Sequence, residues 1–215
     1  DEYAGKFSRR AGHQDDSCLF HPSTGHNQGF GSSPGGWYDA GDYNKYIINA
    51  AVTLGTMLSF YEIFPESFNH DQLNIPESGN RLSDLLDECR YELEWMLTMQ
   101  DTDGGVFHKL STLNFEAYIM PHEAGMPRYF IGKSTSASLG FAATMAMAGR
   151  IFNEIDPEFS EKCNLQAKAA WDWAVSYPDA YFQNPENLGT GAYNDNDLRE
   201  EFMQAETQLF ISGII

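Results

Sequence analysis

The sequence predicts an all-α chain of the α/α barrel or toroid type, on three observations. Five stretches place apolar residues at three- and four-residue steps. The connections between them are long and either polar or aromatic. No stretch reads as strand-rich. Compact helical bundles join their helices through roughly two to eight residues. Loops longer than that point to helices acting as a scaffold, with function built on the loops at one end. The 215 residues suit one domain or a large piece of one, and 42% hydrophobic content allows a sizeable core.

Each element follows from its residues. Residues 1–44 form an irregular opening, rich in Gly, Ser, His and Asp, without periodicity. Residues 45–215 carry the helices and their loops. The first helix is expected from Lys45 to Phe64, on Ile47, Ala50, Ala51, Leu54, Met57, Leu58 and Tyr61, and Pro65 ends it. Ser67 to Gly79 reads as a polar connection. A second helix is expected from about Leu82 to Gln100, where Leu82, Leu85, Leu86, Cys89, Leu93, Met96 and Leu97 make one stripe. Asp101-Thr102-Asp103-Gly104-Gly105 breaks it, and Val106 to Tyr129 reads as irregular. Ser134 is a suitable N-cap for a third helix, apolar almost all round and so expected to be buried on most sides. Asp156-Pro157 reads as a cap and first turn for a fourth. A fifth starts near Asp197 or Leu198 and is still apolar at Phe210 and Ile211. The apolar ending at Ile214-Ile215 leads to the expectation that the chain is the N-terminal part of a longer domain.

Charge narrows the function classes. Thirteen basic residues face 31 acidic ones, a net charge of -18. Nucleic acid and anionic membrane surfaces both call for a basic footprint, so neither is an expected partner. A neutral polymer such as a polysaccharide meets no such penalty. No apolar run reaches the roughly 18 residues that span a bilayer. Of the three cysteines, Cys89 and Cys163 fall within helical patterns and read as buried thiols.

The strongest local feature is Gly35-Gly36-Trp37-Tyr38-Asp39-Ala40-Gly41-Asp42-Tyr43. Two carboxylates three residues apart sit in a glycine-containing turn ahead of a helix. Paired carboxylates can hold a water and take its proton. Trp37, Tyr38 and Tyr43 supply flat faces that stack on sugar rings. The competing reading is that Asp42 caps the following helix, and the local pattern does not choose between them.

This run, continued through Asn44-Lys45-Tyr46, resembles the signature of glycoside hydrolase family 9, the cellulase family with an (α/α)6 barrel. Three further segments resemble the family in the same order. They are Trp95 to Lys109, Met120-Pro121 with Pro127-Arg128-Tyr129 and Lys133 to Ser138, and Thr190 to Asp197 with Glu200-Glu201-Phe202. The resemblance implies an incomplete N-terminal portion of that catalytic domain, secreted or periplasmic. The implied activity is inverting hydrolysis of β-1,4-glucan, with an endoglucanase the leading form. Asp42 would be the general base and Asp39 its assistant. Inversion places the acid and base carboxyls roughly 6.5–9.5 Å apart. The family's acid is a late glutamate with no match here, so the rest of the domain is an implied partner, and an immunoglobulin-like domain often accompanies relatives. Alternatives are a non-catalytic carbohydrate-binding piece of the same fold, or an α/α-barrel hydrolase for another β-glycan.

Other candidates are weaker. His108 and Phe107 read as loop residues that could meet a sugar, and Tyr193 is a similar candidate. Thr190, Asp195, Asp197 and Glu200 offer clustered oxygens that suit calcium, and the resemblance adds weight. The alternative is an acidic helix N-terminus complementing the dipole. His13, Cys18, His21 and His26 could serve zinc, but the Cys-His pair of zinc-binding relatives reads Gly12-His13 here, and scattered loop residues are the favoured reading.

Overall fold

The computed structural model describes residues 3–68 and 73–215. The polar connection after Ser67 therefore lies partly outside the described residues. Among the described residues, five α-helices carry the fold: α1 (Ile47–Ile63), α2 (Asp84–Thr98), α3 (Thr135–Phe152), α4 (Pro157–Ser176) and α5 (Arg199–Ile211). The expected helices are all present, with ends moved by one to a few residues. Ser134 caps α3 by accepting from Ala137 N at 3.1 Å, and Asp156 caps α4 by accepting from Phe159 N at 3.1 Å. As its all-round apolar surface predicts, α3 is central: it packs against α1, α4 and α5 and buries Phe141 and Phe152 completely. Each such ring contributes about 1.5–3 kcal/mol by leaving water.

The purely all-α expectation is corrected. Five short strands form one sheet: β1 (Cys18–Phe20), β2 (Phe30–Gly31), β3 (Lys45–Tyr46), β4 (Phe107–Ser111) and β5 (Tyr129–Lys133). Their order is β2-β1-β5-β4-β3. β1 runs parallel to β5, and the other neighbours are antiparallel. The opening is thus not wholly irregular, nor is the segment from Val106 to Tyr129. Every residue of β4 is buried, so the alternation of exposed and buried positions that marks a strand is absent from its sequence.

The sheet matters because it carries the Asp39–Asp42 turn. β3 follows that turn directly and leads into α1 without a break. Lys45 and Tyr46, expected in the first helical turn, are strand residues paired with Leu110 and Lys109 of β4. Among the described residues no helix is long and apolar enough to cross a membrane.

Candidate active site

The turn from Gly35 to Asp42 is fixed from beneath by a buried ion cluster. Asp15, 7% exposed, receives Lys45 Nζ at 2.6 Å and Arg128 Nε at 3.1 Å. Lys45 also donates to the Gly35 carbonyl, and Arg128 Nη1 donates to the Tyr43 carbonyl at 2.5 Å. One carboxylate therefore sets two cations, and each cation holds one end of the turn. Glu92 of α2 braces the middle by accepting from Trp37 N at 2.5 Å, and Glu88 takes the Trp37 indole N–H at 2.6 Å. Gly36 has φ +80°, and a Cβ there would lie 2.4 Å from Trp95 Cγ, so the turn can lie against α2 only with glycine at this position. None of these supports was foreseen. Asp15 gives no local signal, because its partners lie far along the chain.

The two aspartates are held differently. Asp39 uses both oxygens: Asn49 Nδ2 donates to Oδ1, and Tyr193 OH donates to Oδ2 at 2.6 Å. Asp42 receives two donors on one oxygen, Asn44 Nδ2 at 2.8 Å and Tyr46 OH at 2.9 Å, both at Oδ2. Among the described residues no donor reaches its Oδ1. Asp42 does not cap α1: the N-cap position is Tyr46, with β3 between. The helix-cap reading is thereby removed. A recess of about 60 Å³ beside Asp39 is lined by Trp37, Tyr38, Tyr46, Asn49 and Glu92. A larger groove of about 690 Å³ lies against α2 and the start of α4, but there Arg90 pairs with Glu94 and Asp156.

Of the aromatic candidates, Trp37, Tyr38 and Tyr43 are partly exposed and Tyr193 is 43% exposed, all around the aspartates. Tyr38 and Tyr43 form one cluster with His13, whose Nδ1 lies 2.9 Å from Tyr38 OH. Phe107 and His108 are corrected. They are β4 residues, 3% and 0% exposed, and have no surface with which to meet a sugar. His108 donates from Nε2 to the Ala192 carbonyl at 2.8 Å, accepts from Ser134 Oγ at 2.8 Å, and stacks on Phe182 at 3.6 Å. Burial pushes it down to about 3, so it is a neutral structural imidazole.

Three of the calcium candidates have other partners in this structure. Thr190 turns inward and accepts from Lys109 Nζ at 3.1 Å, so a cation already occupies that side. Asp197 is bound by Arg199 at 2.5 Å, and Asp195 accepts from Asp197 N. Among the described residues no group of three or more His, Cys, Asp or Glu converges to hold an ion. The zinc candidates likewise stand apart. His21 accepts from Ser23 N, His26 pairs with Asp101 at 2.9 Å, and Cys18 is a buried thiol facing the Asp15 carbonyl.

A helical scaffold presenting a rigid carboxylate pair among exposed aromatics has the form of a carbohydrate-processing site. The chain belongs to glycosyl hydrolase family 9, whose model matches residues 2–213. It is 44% identical to the xyloglucan-specific endo-beta-1,4-glucanase BoGH9A of Bacteroides ovatus, across 99% of this chain and 39% of that protein. It is 44% identical to endoglucanase D of Acetivibrio thermocellus, across 74% of this chain and 26% of that protein. The solved Bacteroides ovatus family 9 structure superposes with a TM-score of 0.93, covering 98% of this chain and 41% of that one. A thermostable endoglucanase of Alicyclobacillus acidocaldarius superposes at 0.90 with 31% identity, covering 99% and 40%. The chain thus spans about two fifths of the length of several relatives.

Proposed function

We propose that this chain is the water-activating part of a β-1,4-glucanase that inverts the anomeric centre. The observation that carries this is the asymmetry of the aspartate pair. Asp39 has one donor on each oxygen, from Asn49 and Tyr193, whereas Asp42 keeps Oδ1 open while Asn44 and Tyr46 fix Oδ2. An anchored carboxylate with one oxygen available can take a proton from water, and its anchored partner can orient that water. Asp42 is then the general base and Asp39 the assistant. Trp37, Tyr38, Tyr43 and Tyr193 stack on the sugar rings.

Inversion places a general acid across the bond from the base, and a glutamate outside these 215 residues supplies it. The five helices are the first of an (α/α)6 barrel that the remaining sequence closes. Polymeric β-glucan is met outside the cytoplasm, so the protein works secreted or in the periplasm. The Bacteroides ovatus relative, xyloglucan-specific by name, makes a branched β-1,4-glucan the second substrate to assay beside cellulose.

The test uses the full-length protein with Asp42→Ala. Hydrolysis of soluble cellulose and xyloglucan falls by about 10²–10⁴-fold, the usual worth of a positioned acid–base group. Cello-oligosaccharide binding, read by calorimetry, persists. Near-normal turnover in the variant would remove Asp42 from the role.

A further inference from the structure

One residue, Gly191, links both aspartates to the interior through the two peptide groups that flank it. The N–H of Gly191 donates to Tyr46 OH at 3.2 Å, and its carbonyl accepts from Lys109 Nζ at 2.6 Å. Tyr46 in turn donates to Asp42 Oδ2 at 2.9 Å. Two residues beyond Gly191, Tyr193 donates to Asp39 Oδ2 at 2.6 Å. A Cβ at Gly191 would lie 2.8 Å from the Tyr193 ring and 3.3 Å from Tyr46 OH, so the bracket closes only around glycine.

Lys109 is unusual for its place. It is a strand residue with 0% exposure. Its nearest acceptors are all neutral: Asn184 Oδ1 at 2.9 Å, Thr190 Oγ1 at 3.1 Å and the Gly191 carbonyl at 2.6 Å. It also lies over the rings of Tyr46 and Phe182, at 5.6 and 5.4 Å. An ammonium buried without a carboxylate partner is strongly disfavoured. Merely pinning a loop could be done by an amide. Burial pushes Lys109 down to about 7, and Asp42 is the one charged group acting against that shift. Lys109 and Asp42 are joined in the structure by a chain of contacts, from Lys109 to the Gly191 carbonyl, from the Gly191 N–H to Tyr46 OH, and from Tyr46 OH to Asp42 Oδ2.

We propose that Tyr46 and Lys109 are positioning residues that act as one unit, locking Gly191 from its N–H and its carbonyl so that Asp42 presents Oδ1 to the water. This rests on the hydrolase reading above. Tyr46 holds Oδ2, and Lys109 holds the loop against which Tyr46 is aligned. Neither touches substrate. Their loss lets the carboxylate rotate, and small misplacements of a base weaken catalysis much more than binding.

The test is a double-mutant cycle in the full-length protein with Tyr46→Phe, Lys109→Met and the pair. Oligosaccharide binding by calorimetry counts the folded molecules. Each single variant lowers kcat by about tenfold to a hundredfold, with KM within about twofold. The pair is no worse than the weaker single variant, because groups acting as a unit are non-additive. Unchanged kcat in Tyr46→Phe, or losses that multiply in the pair, would overturn the proposal. Should Lys109→Met not fold, Tyr46→Phe alone decides, through its kcat and KM. A wild-type protein inactive on β-1,4-glucans would instead remove the hydrolase reading itself.

Discussion

The chain contains two acidic turns that look alike as sequence, Asp39 to Asp42 before α1 and Asp195 to Asp197 before α5. In the first, the carboxylates are bound by neutral side chains: Asn44, Tyr46 and Asn49 from the segment that follows, and Tyr193 from 154 residues beyond Asp39. Beneath them lies a dry cluster of Asp15, Lys45 and Arg128. In the second, the partners are local and wet. Asp197 is paired with Arg199 two residues away, both exposed, and Asp195 accepts from the Asp197 backbone. A site differs from a solvated helix start in who holds the charge. Neutral donors orient a carboxylate and leave it without a counter-charge; an adjacent arginine occupies it with one.

The comparison breaks most severely at Asp15. Asp15→Asn leaves Lys45 and Arg128 buried without a counter-charge, and losing one partner of a buried pair typically costs about 3–5 kcal/mol. The full-length variant is expected to melt far lower or to be insoluble. A melting temperature within a degree of wild type would show that the turn is held by its hydrogen bonds alone.

Glu92 sharpens the same contrast from the α2 side. Burial pushes its carboxyl up to about 8 from an ordinary 4.5, against the pull of the Trp37 N–H and Lys45. Below about 4.5 the group is protonated in folded and unfolded chains alike. Above it the unfolded chain ionises first, so this stabilisation is lost as pH rises from 4.5 through 8. Glu92→Gln keeps an acceptor for Trp37 N–H and removes the titration. Its melting temperature relative to wild type should therefore be higher at pH 8 than at pH 5, by about 2–4 °C for each kcal/mol relieved in a domain of this size. The reverse order would mean that Glu92 is ionised and belongs to the Asp15 cluster.

Legibility followed the distance between partners. The helices were readable because their signal repeats within each segment, as at Ser134 and Asp156, whose caps lie three residues from their donors. The aspartate pair was readable as a motif, but its choice between cap and base was not, since β3 is only two residues long. β4 was unreadable because both its faces are buried, so His108 and Lys109 resembled polar loop residues. Thr190 resembled a calcium ligand because its cation, Lys109, is 81 residues away. Asp15 was silent for the same reason, with Arg128 lying 113 residues on.

The smallest expected effect lies in the second turn, and it tests the comparison most directly. Arg199 holds Asp197 down to about 2 through hydrogen bonds made in water. Such exposed pairs add little stability, because solvent already satisfies both charges. Asp195→Asn and Asp197→Asn should therefore leave the melting temperature and kcat of the full-length protein unchanged within error. Each should also respond to calcium, or to its chelation, as wild type does. If either variant alone lost a calcium-dependent rise in melting temperature, the 195–197 turn would gather its oxygens around an ion and displace Arg199. The two acidic turns would then differ in the cation they hold, and the contrast between neutral donors and an adjacent arginine would no longer separate a site from a helix start.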